Sequence, residues 1–247
     1  MNGTTPAGVN DEREAARWVR GMFARVARRY DLANHLLSFN IDRYWRAHTV
    51  QRVRDVLLHP DARVLDICCG TGDLLLALGS SRRNIVFGSD FCHPMLVSAR
   101  RKIERRHAPA ALFEADALNL PVPDESLDLL TVAFGFRNLA NYAAGLAEMR
   151  RVLRPGGMAA ILEFSRPPNP VFRAAYHFYS RRILPWIGGA ISGSRDAYTY
   201  LPESVRKFPA ARDLADEMRR AGFRDVRYEY LTFGITALHL GSVGEIR

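Results

Sequence analysis

From Arg63 to Phe164 the chain alternates short β-branched or leucine-rich runs with helical segments, and this rhythm constrains its fold more than any other feature. Arg63–Cys68, Asn84–Asp90, Ala111–Glu114, Leu127–Phe134 and Met158–Phe164 read as strands, the last set off by a hairpin-like break at Pro155-Gly156-Gly157. Asp73–Leu78, Pro94–His107 and Tyr142–Leu153 read as helices, the first opening on an acidic turn and the second with proline near its start. Such alternation predicts a doubly wound, mainly parallel sheet covered on both faces. Helix Ala211–Ala221 and strands Asp225–Leu231 and Ile235–Gly241 resume the series, for seven strands in all.

Two stretches break the rhythm. Residues 14–59 predict an N-terminal helical cap, with helices Ala15–Tyr30 and Asp42–Leu58 joined through the segment from Asp31 to Asn40. Ser165–Phe208 carries four prolines between 167 and 185, an aromatic-basic helix and a glycine-serine turn. An insertion of that length before the last α/β elements suits a lid or substrate wall, here assigned to 166–208. Residues 1–13 are polar and are expected to lack structure, leaving 14–247 as one domain.

Within the alternating part, Val64-Leu65-Asp66-Ile67-Cys68-Cys69-Gly70-Thr71-Gly72-Asp73 reads as a buried strand, a glycine turn and a helix start. Asp90 closes the next strand and Asp116 follows the third. A dinucleotide fingerprint would place glycine three residues after Gly72, where this chain has Leu75, and no P-loop lysine is present. The layout therefore favours an adenosine without phosphates, as in S-adenosylmethionine. Glycines 70 and 72 let backbone approach its amino-acid end, and Asp66 could meet the ammonium. Asp90 is placed for the ribose hydroxyls, Asp116 for the adenine amino group, and the Ala117 N–H for the ring. These features resemble class I S-adenosylmethionine-dependent methyltransferases over about residues 60–165 and the two C-terminal strands. The resemblance implies an α/β, Rossmann-like fold with N-terminal helices and a helical insertion after strand 5.

The net charge of +9 admits a nucleic acid or an anionic membrane as partner, or is a matter of arginine-rich composition alone. Nucleic-acid methylation makes demands that can be checked. Exocyclic-amine chemistry usually uses an Asn/Asp-Pro-Pro-aromatic loop after the fourth strand, and this strand ends Ala133-Phe134-Gly135-Phe136-Arg137-Asn138. Pyrimidine C5 chemistry needs a nucleophilic cysteine, whereas the three cysteines are Cys68, Cys69 and Cys92. Their spacing suits neither a metal nor a redox motif, so no metal is expected and packing is the better role. No apolar run reaches a membrane span and residues 1–17 lack the pattern of a signal peptide, so the expected location is the cytoplasm.

Further segments together look like the menaquinone and ubiquinone biosynthesis C-methyltransferase family. They are Tyr30-Asp31-Leu32-Ala33-Asn34 with Leu37-Ser38-Phe39, Gly70-Thr71-Gly72-Asp73-Leu74, Phe134-Gly135-Phe136-Arg137-Asn138, and Arg154-Pro155-Gly156-Gly157 leading to Leu162-Glu163-Phe164-Ser165. Tyr176 to Pro185, the run from Tyr198 to Arg206, and Leu231-Thr232 through Ala237-Leu238-His239 complete the set, over roughly 18–241. The resemblance implies cofactor contacts at Thr71, Asp90, Asp116 and Ala117, and Ala133 stands where many members carry serine. With Asp66, Gly70, Gly72 and Phe91 these form the candidate cofactor set.

The implied reaction is methyl transfer to a ring carbon of a prenylated hydroquinone, as from demethylmenaquinol to menaquinol or on the benzoquinol precursor of ubiquinone. A neutral phenol with pKa about 10 is a weaker carbon nucleophile than its phenolate, so a nearby cation would help. Arg137 is the first candidate, as phenolate stabiliser or water-orienting group, because arginine stays protonated. Tyr30, Asp31 and Asn34 are candidates to close over the site, whereas His239 reads as a strand histidine. Aromatic and basic residues interleave over 172–190, which suits a peripheral contact with the inner face of an anionic membrane, packing onto the sheet, or a homodimer contact. Other readings are a nucleic-acid or different small-molecule methyltransferase on the same fold, and a non-catalytic cofactor-binding scaffold.

Overall fold

A computed structural model describes residues 3–4, 6, 8–9, 11–27, 30–81, 84–179, 182 and 195–244. Seven strands form one sheet: β1 (Val64–Ile67), β2 (Val86–Asp90), β3 (Ala110–Glu114), β4 (Leu127–Ala133), β5 (Leu153–Phe164), β6 (Phe223–Leu231) and β7 (Thr236–Val243). Their order is β3-β2-β1-β4-β5-β7-β6, with β1 to β5 parallel and β7 antiparallel to both neighbours. The chain runs outward in one direction from β1 through β2 to β3, then outward in the other from β4. That reversal opens a crevice at the carboxyl ends of β1 and β4, where ligands bind in open α/β sheets.

Central strands are buried on both faces because successive residues point opposite ways. Ala159 and Ile161 of β5 join a core with Leu146, Met149 and Phe223, while Ala160 and Leu162 join one with Trp45, Leu75 and Leu78. β5 begins earlier than the sequence suggests. Pro155-Gly156-Gly157 lies inside it, and the break reduces to a register shift opposite Leu127 and Leu129.

The cap comprises α1 (Glu12–Val26), α2 (Tyr30–Leu37), α3 (Ile41–Arg52) and α4 (Arg54–Leu58). The stretch predicted to join two helices is largely a helix itself, and the second predicted helix divides at Val53. Asp11 caps α1 by accepting from the Glu14 N–H at 2.7 Å, so this helix starts ahead of its predicted bound. Between the strands lie α5 (Asp73–Gly79), α6 (His93–Arg106) and α7 (Tyr142–Val152). The insertion supplies α8 (Pro170–Phe178) and α9 (Arg195–Lys207), and α10 (Ala211–Arg220) packs beside β6. Within the segment expected to lack structure, the Gly3 and Thr4 N–H groups bond the carbonyls of Ala140 and Leu139 at 3.0 and 2.8 Å.

Candidate active site

Two cavities meet over the crevice. Asp66, Asp90, Asp116, Gly70, Thr71, Phe91, Ala117 and Ala133 all line the first, so eight of the nine predicted cofactor residues share one wall. Gly72 stands behind it, where its φ of +83° and N–H bond to the Cys69 carbonyl make the turn that starts α5. Asp90 accepts from the Gly70 N–H at 2.9 Å and the Cys92 N–H at 2.8 Å, and so shapes the glycine loop as well as facing the cavity. Burial pushes its carboxyl up to about 6, against those two bonds. Asp66 is 1% exposed and accepts from Thr131 Oγ1 at 2.7 Å. Burial pushes it further, to about 7, against the threonine bond and the field of Arg46.

Neither Asp66 nor Asp90 has an ion-pair partner among the described residues. Two buried, unneutralised carboxylates are costly unless a cation or hydroxyl donors complete them. Apolar Phe91, Met95, Ala117 and Leu118 line the same space, which suits a planar ring. This donor set fits the amino-acid end, ribose and adenine of S-adenosylmethionine. Burial also raises the Cys68 and Cys69 thiols well above their ordinary value, which keeps them protonated and consistent with packing. Gly135 lies against Cys68 so closely that an added Cβ would meet the cysteine Cβ at 2.4 Å.

The cap is pinned to this loop by charge. Asp31 pairs with Lys102 Nζ at 2.6 Å and accepts from the Thr71 hydroxyl, while Lys102 also pairs with Asp73 at 2.6 Å. Asp31 therefore forms a latch and lines neither cavity. His35 and Arg46 extend the network to Asp42 and Asp73. His35, Asp42 and Asp73 bring ligand atoms within 4.8 Å of one another, yet Arg46 already supplies the positive charge there. Burial alone would raise both acids, but Ser38 and Arg46 lower Asp42, and Lys102 and Arg46 lower Asp73, below the ordinary range.

The second cavity, about 500 Å³, is walled by aromatic side chains including Trp45, Phe134, Phe164, Tyr176 and Tyr200. It shares Phe23, Tyr30, Arg46 and Phe134 with the first. Tyr30 thus stands between them, and Asn34 hydrogen-bonds its side chain from within the second. Burial raises the Tyr30 hydroxyl above its ordinary value despite the opposing pull of Arg137. Arg137 is 4% exposed and lies on a short turn, Phe136–Asn138, after β4. Its Nη1 pairs with Glu163 at 2.9 Å and donates to the Phe134 carbonyl, and its guanidinium lies 5.2 Å from the centre of the Phe164 ring. Burial would lower its pKa, but Glu163 holds it above the ordinary value.

Four participants escaped sequence reading. Arg46 and Lys102 are charged residues that nothing local marks among 35 basic and 26 acidic residues, and Glu163 lay in a quoted segment without a role. Tyr200 lay inside a flagged block without a role. Its hydroxyl shares a 2.8 Å hydrogen bond with Thr4 and donates to Asn138 at 3.1 Å. His239 lies on β7, away from both cavities. Its Nε2 sits 2.8 Å from the Ala211 carbonyl, and burial pushes its pKa down to about 4. It is a strand histidine.

Comparisons with known proteins agree with this geometry. Among solved structures, an S-adenosylmethionine-dependent methyltransferase from Thermotoga maritima superposes with a TM-score of 0.63 at 19% identity, covering 91% of this chain and 99% of that one. One from Aquifex aeolicus gives 0.57 at 18% identity, over 79% and 89%. These likenesses establish the class I fold. Relatives are nearer in sequence. A demethylmenaquinone methyltransferase of Thermus thermophilus is 50% identical over 89% of this chain and 99% of its own length. Another, from Deinococcus radiodurans, is 46% identical over 94% and 95%. A ubiquinone/menaquinone biosynthesis C-methyltransferase of Geobacter sp. is 43% identical over 91% and 95%. The family model described as the ubiE/COQ5 methyltransferase family matches residues 8–243, and the chain belongs to that family.

Proposed function

We propose that this S-adenosylmethionine-dependent methyltransferase methylates a ring carbon of a prenylated quinol, with demethylmenaquinol as the substrate. The observation that carries the reading is the pair of cavities. A polar, acid-lined space and an aromatic space share one wall, and the aromatic one contains a buried guanidinium. The aromatic and aliphatic walls of the second cavity suit a fused aromatic ring with an apolar tail.

Asp66, Asp90 and the Gly70 loop would hold the amino-acid and ribose parts of S-adenosylmethionine, and Asp116 with Ala117 the adenine. When bound, that cofactor supplies an electrophilic methyl group. The rest of the task belongs to the acceptor side. Arg137 hydrogen-bonds the ring hydroxyl and lowers its pKa, raising electron density at the neighbouring carbon. Tyr30, kept neutral by burial, donates a hydrogen bond at the wall between the two sites. Phe134, Phe164 and Trp45 form one aromatic cluster, with ring centres 4.8 to 6.2 Å apart, that excludes water and fixes the ring plane.

The mouth of the aromatic cavity suits a lipid surface. Phe39 and Tyr179 meet there at 6.4 Å between ring centres, and Phe172 packs on Phe233 at 5.2 Å. Phe39, Val171, Phe178 and Phe233 are each more than 60% exposed, and Arg166, Arg173 and Arg206 line the same cavity. This surface reaches beyond the expected 172–190, of which 180–181 and 183–190 lie outside the described residues. Among the described residues no helix is long and apolar enough to cross a membrane. An apolar rim with arginines would rest on anionic lipid and admit the tail from the bilayer.

The test is product analysis. Purified protein supplied with S-adenosylmethionine and reduced demethylmenaquinone should yield quinol heavier by one CH2, with a slower rate on the benzoquinol precursor. Transfer to neither ring would refute the reading. Co-sedimentation with phosphatidylglycerol vesicles tests the surface. Absence of binding, with a dimer in solution, would assign that face to a second copy.

A further inference from the structure

We propose that Glu163 is a positioning residue: it sets the orientation of Arg137 so that one edge of the guanidinium is left for the acceptor's ring oxygen. The inference rests on the acceptor-site reading above and extends it to a residue outside the predicted site. Glu163 ends β5 one residue before its last position and is 1% exposed. One carboxylate oxygen accepts from Arg137 Nη1 at 2.9 Å and from the Phe164 N–H at 2.8 Å. The other accepts from the Arg137 backbone N–H at 3.1 Å. The carboxylate therefore holds both ends of the same arginine.

What it leaves unbound is as informative. Nη1 is also engaged by the Phe134 carbonyl, whereas the buried Nε has no hydrogen-bond partner among the described residues. A guanidinium presents Nε and Nη2 as a two-donor fork. With Nη1 occupied and Nε enclosed, Nη2 is the donor left to meet an oxyanion at the cavity, and Nε completes the fork once an oxygen seats against that edge. A buried donor left without a partner is costly, and such cost is tolerated where a ligand completes it. The bland alternative is that the pair only ties the turn after β4 to β5. It accounts for the backbone bonds but not for an arginine that forms a cavity wall with one donor unfilled.

Charge sharpens the test. Removing the carboxylate charge leaves the field of the guanidinium on the acceptor hydroxyl unopposed, which lowers that hydroxyl's pKa. In Glu163→Gln, kcat per cofactor-binding site should fall at least about tenfold with S-adenosylmethionine affinity within about twofold. The rising limb of kcat against pH should move to lower pH. Placed in an Arg137→Gln background, the same substitution should cost nothing further, because its effect passes through the arginine.

Unchanged kcat per binding site, with an unmoved limb and only a lower Tm, would overturn the proposal. So would additive losses in the double variant. Should Glu163→Gln fail to bind cofactor, Glu163→Asp is read instead. It keeps the charge but shortens the reach, and kcat per site should again fall about tenfold with the limb in place. An unchanged kcat there overturns the proposal. Failure of the wild-type protein to methylate any prenylated quinol would refute the acceptor reading itself, before any variant is compared.

Discussion

The cavities proposed for donor and acceptor share four side chains yet are made in different ways. The first is built from the ends of β1, β2 and β4, the turns that follow β1 and β3, and a few cap side chains, with Asp90 and Asp116 anchored to neighbouring backbone and Asp66 to the Thr131 hydroxyl. The acceptor cavity draws α1, α2, α3, the ends of β4 and β5, and the insertion into one wall. One is made mainly by the sheet and closed on one side by Ala16, Phe23, Tyr30 and Arg46 of the cap; the other is made mainly by the cap and insertion. The difference implies that cofactor affinity and turnover should separate cleanly under mutation.

The largest separation is expected at Arg137. Arg137→Gln keeps a donor for Glu163 but removes the charge, and kcat should fall by about 10²- to 10³-fold, the range for losing one preorganised donor. Calorimetry should find S-adenosylmethionine affinity unchanged; its loss would break the comparison. The mirror experiment is Asp90→Asn, which weakens charge-assisted bonds worth about 1.5–3 kcal/mol and should raise the cofactor Kd by roughly 10- to 100-fold. Fluorescence titration with an unreactive quinol analogue should show acceptor binding little altered.

Acid titration gives an effect of intermediate size. Asp66 sits near 7 in the folded protein because burial disfavours its charge, and a bound ammonium would favour that charge. Cofactor affinity should therefore be full above pH 7 and fall as pH drops through it, about tenfold between pH 8 and 6 for a single such group. Calorimetry in buffers of different ionisation enthalpy should show proton release on binding near pH 6.5, and none would remove Asp66 from the ammonium site. For folding the sign is the same at each raised acid: Asp66 and Asp90 cost stability as pH rises from about 4 towards their folded values. The smallest effect is expected at the latch. Lys102→Met should raise the cofactor KM about threefold and flatten its salt dependence, as suits partly solvated pairs.

The same contrast explains what could be read before folding. The three acids of the donor cavity announce themselves because each stands at a strand end, at a spacing that sheet geometry dictates. Arg137 was singled out through the block that carries it. Glu163 lay in a quoted segment but was given no role, because its meaning depends on an arginine 26 residues away. Asp31, expected to close over the site, holds the cap to the glycine loop through Thr71 and Lys102. Its block was informative, but its side chain turns to Lys102 on α6, and no periodicity relates those two residues. The helix Tyr30–Leu37 was hidden for another reason: eight residues is short for a helix that must stand without packing, and its stability comes from the pocket it covers.

The pairing of Gly3 and Thr4 with Ala140 and Leu139 places this short N-terminal stretch on the outside of the donor cavity, whose wall includes both partners. Gly3 lies so near the Ala140 backbone that an added Cβ would come within 2.2 Å. That stretch is therefore a natural sensor. The Gly3 and Thr4 amides, bonded to that wall, should exchange their hydrogens more slowly as the cofactor fills the adjoining cavity, and so report occupancy from outside the site.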